Sequence, residues 1–324
     1  MTRLRLRTAT LAGAAALALT SLVAPAGASE PVADRTAGCF DPASVGAGSA
    51  AARGGFAERD HRDITAKQQA AIEARTARIL AAKGNAKGKP GGGGGGGTGG
   101  GGTVSAGSIP VYVHVMMDKA GNGNVSSTQI SNQIAVLNKT YGGQESSAAS
   151  NTGFTFTLAG TDRFYNDQWH VDRQSSSYRS QTRQGGADAL NIWLVDFGYL
   201  GIATFPWDYS RNPGIDGIRV HYDSVPGGGI ANYNLGETAT HEAGHWLGLY
   251  HTFQGGCTTT NDEVSDTPAQ SSSTNGCPSG RDSCSLPGLD PIHNYMDYSY
   301  DTCYTEFTGQ QTVRMQQMYT AYRA

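Results

Sequence analysis

His241-Glu242-Ala243-Gly244-His245-Trp246-Leu247-Gly248-Leu249-Tyr250-His251 places three imidazoles and a carboxylate in one short stretch. On a helix, His241 and His245 are four residues apart and lie on one face about a turn from each other, so both rings can reach one ion. Asn234 and Glu237 have the spacing of an N-terminal capping box and predict a helix that begins at about Gly236. Glu242 sits beside the ligand face, where its carboxylate can polarise a metal-held water without binding the metal, the position of a general base. A helix continuing past His245 would turn His251 roughly 120° off that face. The helix must therefore break, and Gly248 is suited to this because glycine accepts the positive φ of a helix end. With His251 as third ligand, a fourth position stays open for water, whose pKa a catalytic zinc lowers to about 7. The competing reading is an amphipathic helix whose histidines pack or face solvent; Gly248 and His251 at the required spacing count against it.

The pattern HExxHxxGxxH is the signature of metzincins, whose other mark is a downstream methionine turn. Asn294-Tyr295-Met296-Asp297-Tyr298 resembles that turn. The resemblance implies that Met296 forms an apolar floor beneath the metal and that Tyr298 approaches the metal or the transition-state oxyanion. Residues 245 to 253, Asp266-Thr267-Pro268 and His293 to Tyr298 together resemble the pappalysin family, over roughly residues 104 to 324 and most specifically over 241 to 303. The implied protein is a zinc endopeptidase of α+β class: a metzincin-like catalytic domain with a mixed, mostly parallel twisted sheet, a zinc-binding active-site helix and a C-terminal helix. Its partners would be protein or peptide substrates.

The resemblance also implies calcium close to the active site. Asp262, Glu263 and Asp266 cluster oxygen ligands that suit such a hard cation, although the spacing is not that of an EF-hand and acidic loops are often merely solvated. Gly201 to Phe205 would form the strand along the upper rim of the cleft, binding an extended peptide by strand addition, with a buried core strand as the alternative. Asp301 falls where metzincins line the primed-side pocket; an acidic pocket there favours Lys or Arg after the scissile bond.

Arg3, Arg5 and Arg7, an apolar run from Leu11 to Val23 and Ala26-Gly27-Ala28 follow the order of a signal peptide with an A-x-A cleavage site, so residues 1–28 predict export and a secreted, extracellular protein with no membrane span in its mature form. Cys257, Cys277, Cys284 and Cys303 of an exported chain read as two disulfides, with a second zinc site as the rival. Three pairings are open; the resemblance favours Cys257 with Cys284 and Cys277 with Cys303.

The net charge of −3 is unevenly divided: residues 104–324 hold 20 Asp/Glu against 11 Lys/Arg, whereas residues 29–103 hold 7 against 10. An acidic catalytic part argues against nucleic acid as a partner. Residues 62–83 contain good helix formers with Ile64, Ile72, Ile79 and Leu80 spaced for one apolar stripe. Eleven glycines in residues 91–102 then form a stretch that cannot bury a core. Residues 29–103 accordingly read as a pro-segment with a tether, ahead of a catalytic domain at 104–324. Cys39 lies in that pro-segment without an obvious mate. By analogy with metzincin zymogens its thiolate would occupy the open zinc position; a free thiol or an intermolecular disulfide is the alternative.

Within the catalytic part, Ile109, Val111, Val113 and Val115 alternate as in a half-buried strand. Ser126 to Gln129 makes a capping box for a helix carrying Ile130, Ile134, Leu137 and Tyr141, and Thr308 to Gln311 one for a C-terminal helix bearing Met315, Met318, Tyr319 and Tyr322. Further strands are predicted at Phe154 to Leu158, Leu190 to Val195 and Ile218 to Tyr222. His114, His170, His221 and His293 are assigned no chemistry. A non-catalytic, zinc-containing interaction module is the functional alternative to an enzyme; Glu242 and a dedicated pro-segment speak against it.

Overall fold

The computed structural model describes residues 64–86 and 106–324; the expected signal sequence, Cys39 and the glycine-rich stretch lie outside the described residues. The alternation read in the sequence becomes the central strand β1 (Ser108–Met117), whose Ile109, Val111, Val113 and Val115 are all buried on one face. Strands β2 (Thr155–Tyr165), β3 (Leu190–Val195), β4 (Gly201–Ala203) and β5 (Ile218–His221) complete a five-stranded sheet of order β2-β1-β3-β5-β4. The first three pairings are parallel, and β4 alone runs antiparallel, against β5. The sheet is therefore mixed and mostly parallel, as expected, and β4 is an edge strand with one side of its backbone unpaired by the sheet.

Strand β3 is buried along its whole length, since helices cover both faces of the sheet and a parallel strand must then be apolar on both sides. On one face Leu190, Ile192 and Leu194 join the main core together with α2 (Ser127–Tyr141) and α5 (Glu237–Trp246). On the other, Trp193 and Val195 pack with Met116 and Tyr178 beneath α3 (Asp167–His170) and α4 (Ser175–Thr182). The capping box at Ser126 and Gln129 forms as read, and so does the one at Thr308 and Gln311 that opens α6 (Gly309–Tyr322). Helix α2 meets α5 through the Tyr141 hydroxyl, which donates to the Thr240 carbonyl at 3.0 Å.

The N-terminal helix α1 (Ala66–Ala86) forms, but its buried face differs from the expected apolar stripe. Its most buried side chains are Gln69 and Thr76, while Ile64, Ile72, Ile79 and Leu80 are only partly covered. Disulfides join Cys257 to Cys284 and Cys277 to Cys303, the pairing implied by the resemblance. Cys277, Cys303 and His293 also lie close together, but the two sulfurs are bonded to each other and offer no thiolate to a second zinc. Among the described residues no helix is long and apolar enough to cross a membrane.

Two arginines of α6 and its C-terminal cap fasten the end of α5. Arg314 donates through Nε to the Gly248 carbonyl at 2.9 Å, and Arg323 through Nε to the Trp246 carbonyl at 3.0 Å, satisfying acceptors that a helix end leaves without intrahelical donors. Arg323 also lies over the Trp246 ring, 3.6 Å from its centroid, and forms a two-pronged ion pair with Asp216. The penultimate residue of the chain is thereby tied to the helix carrying His241, Glu242 and His245.

Candidate metal centre and substrate cleft

Helix α5 starts where the sequence placed it, at Gly236, but is not capped as the sequence suggested. Asn234 does not cap it: its side-chain amide donates to the Gly228 carbonyl, while Gly236, at φ +100°, is the residue from which the helix springs. The carboxylate near this end comes from a distant part of the chain, Asp301, whose Oδ2 accepts from the Leu235 amide at 2.8 Å. A negative group at a helix N-terminus is favoured by the unpaired amides there.

The C-terminal end follows the expectation closely. Gly248 adopts φ +95°, its amide donates to the His245 carbonyl, and the Leu249 amide donates to the Gly244 carbonyl, the paired bonds of a Schellman ending. A Cβ at Gly248 would stand 2.5 Å from Met318 Cγ, so both the backbone sign and the space require glycine. This turn brings His251 back toward α5.

The three Nε2 atoms of His241, His245 and His251 form a nearly equilateral triangle with edges of 3.1, 3.0 and 3.2 Å. All three side chains are buried. His241 Nδ1 lies 2.6 Å from the Tyr295 carbonyl and His245 Nδ1 2.9 Å from the Leu249 carbonyl. A carbonyl only accepts, so each of these Nδ1 atoms carries the proton and the Nε2 lone pair of a neutral ring faces the centre of the triangle. Burial drives the His241 imidazole well below its ordinary pKa and lowers that of His245 to about 4, which keeps both rings neutral at physiological pH. Converging lone pairs with no proton to share fit a common cation; tetrahedral zinc with bonds of about 2.0–2.1 Å calls for edges of about 3.3 Å.

Glu242 is buried next to this triangle, against the edge strand. A Cβ at Gly201 would come 2.4 Å from Glu242 Cγ and 2.5 Å from its Oε1, so glycine at the start of β4 lets the strand approach the carboxylate. Beneath the ligands lies Met296, fully buried; a Cβ at Gly244 would meet its Sδ at 2.5 Å. The small residue between the two helix histidines is thus matched to the methionine turn. The Tyr298 ring stands edge-on to His251, 5.0 Å between centroids, and His251 in turn stacks on Phe253 at 4.7 Å.

A tight gap, too small for a water molecule as it stands, lies beside His241 and Tyr298 and is bordered further by Tyr233, Glu237, Thr238, Asp301 and Tyr304. Burial raises the Asp301 carboxyl to about 7, against the opposing pull of backbone amides. Glu237 lies well above the usual carboxylate range, first through burial and then through the charges of Glu145 and Asp301. Asp301 Oδ1 and Glu237 Oε2 are buried without a hydrogen-bond partner among the described residues. Two acidic groups with unused oxygens thus border the same tight gap beside His241. Glu237 was read in the sequence only as a capping residue, and the close approaches at Gly201 and Gly244 were not foreseen.

The three carboxylates read as calcium ligands do not converge. Asp262 accepts from the Thr267 hydroxyl at 2.6 Å, Glu263 from Gln69 at 3.0 Å, and Asp266 from the Thr308 hydroxyl and the Gln310 amide at the start of α6, both at 2.7 Å. Each is engaged by a different neighbour because the loop folds around Thr267 rather than around a central point. Among the described residues the group of free ligand atoms close enough to share an ion is the histidine triangle.

A sheet with an antiparallel edge strand over a helix carrying two histidines and a glutamate, a third histidine after a glycine turn and a methionine beneath them define a metzincin zinc metalloprotease. The model of the pregnancy-associated plasma protein-A peptidase family matches residues 201–320. An extracellular metalloprotease of Neurospora crassa is 50% identical over 225 residues, 67% of this chain and 76% of that one, and one of Sordaria macrospora is 48% identical over the same length and shares. Among solved structures, mature mirolysin of Tannerella forsythia with a cleaved peptide aligns with a TM-score of 0.57 and 32% identity, over 66% of this chain and 92% of that one. A promirolysin variant from the same organism aligns with a TM-score of 0.60 and 26% identity, over 78% and 90%. The chain belongs to the pappalysin family, named for pregnancy-associated plasma protein-A, and is a metalloprotease.

Proposed function

We propose that the protein is a secreted zinc endopeptidase made in a latent form, with residues 1–28 as export signal, 29–103 as pro-segment and 104–324 as catalytic domain. The observation that carries the reading is the convergence of the three histidine Nε2 atoms, beside a buried glutamate at the edge of the sheet. His241, His245 and His251 would hold zinc, which would supply Lewis-acid chemistry to activate a water and polarise the scissile carbonyl. Glu242 accepts the proton of the attacking water at its carboxylate and delivers it to the leaving amine. Tyr298 assists the developing oxyanion from the His251 side, and Met296 holds the floor. The unpaired side of β4 aligns an extended peptide substrate by strand addition.

Asp301, with Glu237, selects Lys or Arg on the primed side: an incoming cation supplies the partner their buried oxygens lack. Cys39 is assigned to latency through the open metal position, tested by whether unprocessed Cys39→Ala is active. Zinc is the one cofactor of this proposal; the resemblance implies calcium too, but Asp262, Glu263 and Asp266 are committed to separate partners and supply no joint site for it. The extracellular assignment is supported by relatives described as extracellular metalloproteases.

The test is Glu242→Ala. Peptide cleavage should fall by about a thousandfold or more while zinc stays near one equivalent per chain. Retained proteolysis refutes the role of Glu242. Parent protein that binds zinc yet cleaves neither casein nor a peptide library is instead the interaction module.

A further inference from the structure

Helix α1 lies against the segment that carries the third histidine, on a surface the proposed chemistry does not use. Glu73 reaches Arg314 with both oxygens, at 2.7 Å to Nη2 and 3.0 Å to Nη1. The same Arg314 holds the Gly248 carbonyl through Nε and lies over the Tyr250 ring, 4.6 Å from its centroid. One buried guanidinium thus joins α1, the Schellman turn and the residue next to His251. Around it, Gln69 donates to the Asn261 carbonyl and Glu263, Gln254 donates to the Ile64 carbonyl, and the Thr76 and Tyr322 hydroxyls are 2.9 Å apart. Phe205, stacked on Trp207 at 4.5 Å, packs edge-on against His245 on one side and borders α1 on the other.

This contact is built like an interface between two bodies rather than like a core. Its most buried α1 positions, Gln69 and Thr76, are polar and hydrogen-bonded across it. A groove of about 270 Å³, half open to solvent, runs between Ile64, Ile72 and Arg75 of α1 and Phe205, Trp207 and Arg211 of the catalytic part. Polar, incompletely packed contacts characterise separable partners, whereas cores are close-packed. Nineteen residues, 87–105, connect α1 to the catalytic part, most of them glycine.

We propose that α1 is a clasp that remains bound to the catalytic body after the connecting segment is severed, with Trp207, Tyr250, Arg314 and Met318 as its receptor and Glu73 as its pin. From there it steadies the Gly248 to His251 turn through Arg314. The interface stands independently of the assigned chemistry; its effect on metal retention rests on the zinc reading above.

The test uses the full chain carrying Glu242→Ala, to exclude self-digestion, with a recognition sequence for a site-specific protease replacing residues 92–97. After complete cleavage, size-exclusion chromatography at physiological salt should show the N-terminal fragment co-eluting with the catalytic body. Adding Glu73→Ala should weaken its retention roughly tenfold or more, as expected for losing a two-pronged charged contact, while Lys67→Ala on the exposed face should change nothing. Zinc loss to EDTA should then be faster for the released body than for the complex. Separation of the parent fragment, or unaltered retention with Glu73→Ala, overturns the clasp; retention that follows the prediction with no zinc bound at all leaves the interface standing and overturns the metal reading instead.

Discussion

At the residue scale, several groups sit in surroundings that leave them one use. Asp301 is the sharpest case. It accepts from an amide at the start of α5 with one oxygen and presents the other, without a partner, to the gap beside His241. Asp301→Asn keeps an acceptor for the Leu235 amide but removes the charge. It should erase the preference for Lys or Arg after the scissile bond, lowering kcat/KM for such peptides by about tenfold to a hundredfold and leaving peptides with an apolar residue there little changed. Matched peptide series on the two proteins check this; equal losses across all residues would show that Asp301 serves only the helix end. The sequence suggested a specificity role for Asp301 from its place after the methionine turn, but not the capping contact, because 66 residues separate the two groups and no local pattern records their meeting. Asn234 looked like the cap because it has the right residue type and spacing; a nearby carbonyl, Gly228, claimed its amide instead.

At the element scale, signals confined to a few neighbouring residues were legible and those made by packing were not. The alternation of β1, the capping boxes of α2 and α6 and the break at Gly248 each depend on contacts within one element or its next turn. Helix α4, by contrast, is the polar run Ser-Ser-Ser-Tyr-Arg-Ser-Gln-Thr, with no apolar period to announce it; burial of Tyr178 and Arg179 holds it in place. Gly201 and Gly244 looked like any other glycines, since what forbids a side chain there is Glu242 in one case and Met296 in the other. Gly248→Ala tests the turn. Its positive φ and the clash with Met318 should cost about 1–3 kcal/mol in thermal or chemical unfolding, and the displaced His251 should lower zinc affinity measurably in a competition titration. Unchanged zinc affinity would separate His251 from the turn.

At the scale of the whole molecule, buried carboxyls set how stability responds to pH. Burial raises Asp262 to about 7, above its unfolded value near 3.8. Between those values the folded state holds a proton that the unfolded state has lost, so stability falls as pH rises from about 4 through 7. Asp262→Asn removes that contribution and should make the unfolding midpoint less sensitive to pH, with the largest gain over the parent above pH 7. Unfolding curves from pH 5 to 8 with a calcium chelator present check the sign. If calcium abolishes the difference between parent and variant, Asp262 is a metal ligand after all and the loop around Thr267 holds the ion. The same scale explains the end of the chain: Arg323, paired with Asp216 and stacked on Trp246, makes the last turn of α6 part of the support for the histidine helix.

Zinc-edge anomalous diffraction from crystals of the processed protein bears most directly on the central claim. One peak about 2.1 Å from Nε2 of His241, His245 and His251, with no fourth protein ligand, is the predicted result. A peak elsewhere, or a crystal of active protease with none at those three nitrogens, would contradict it.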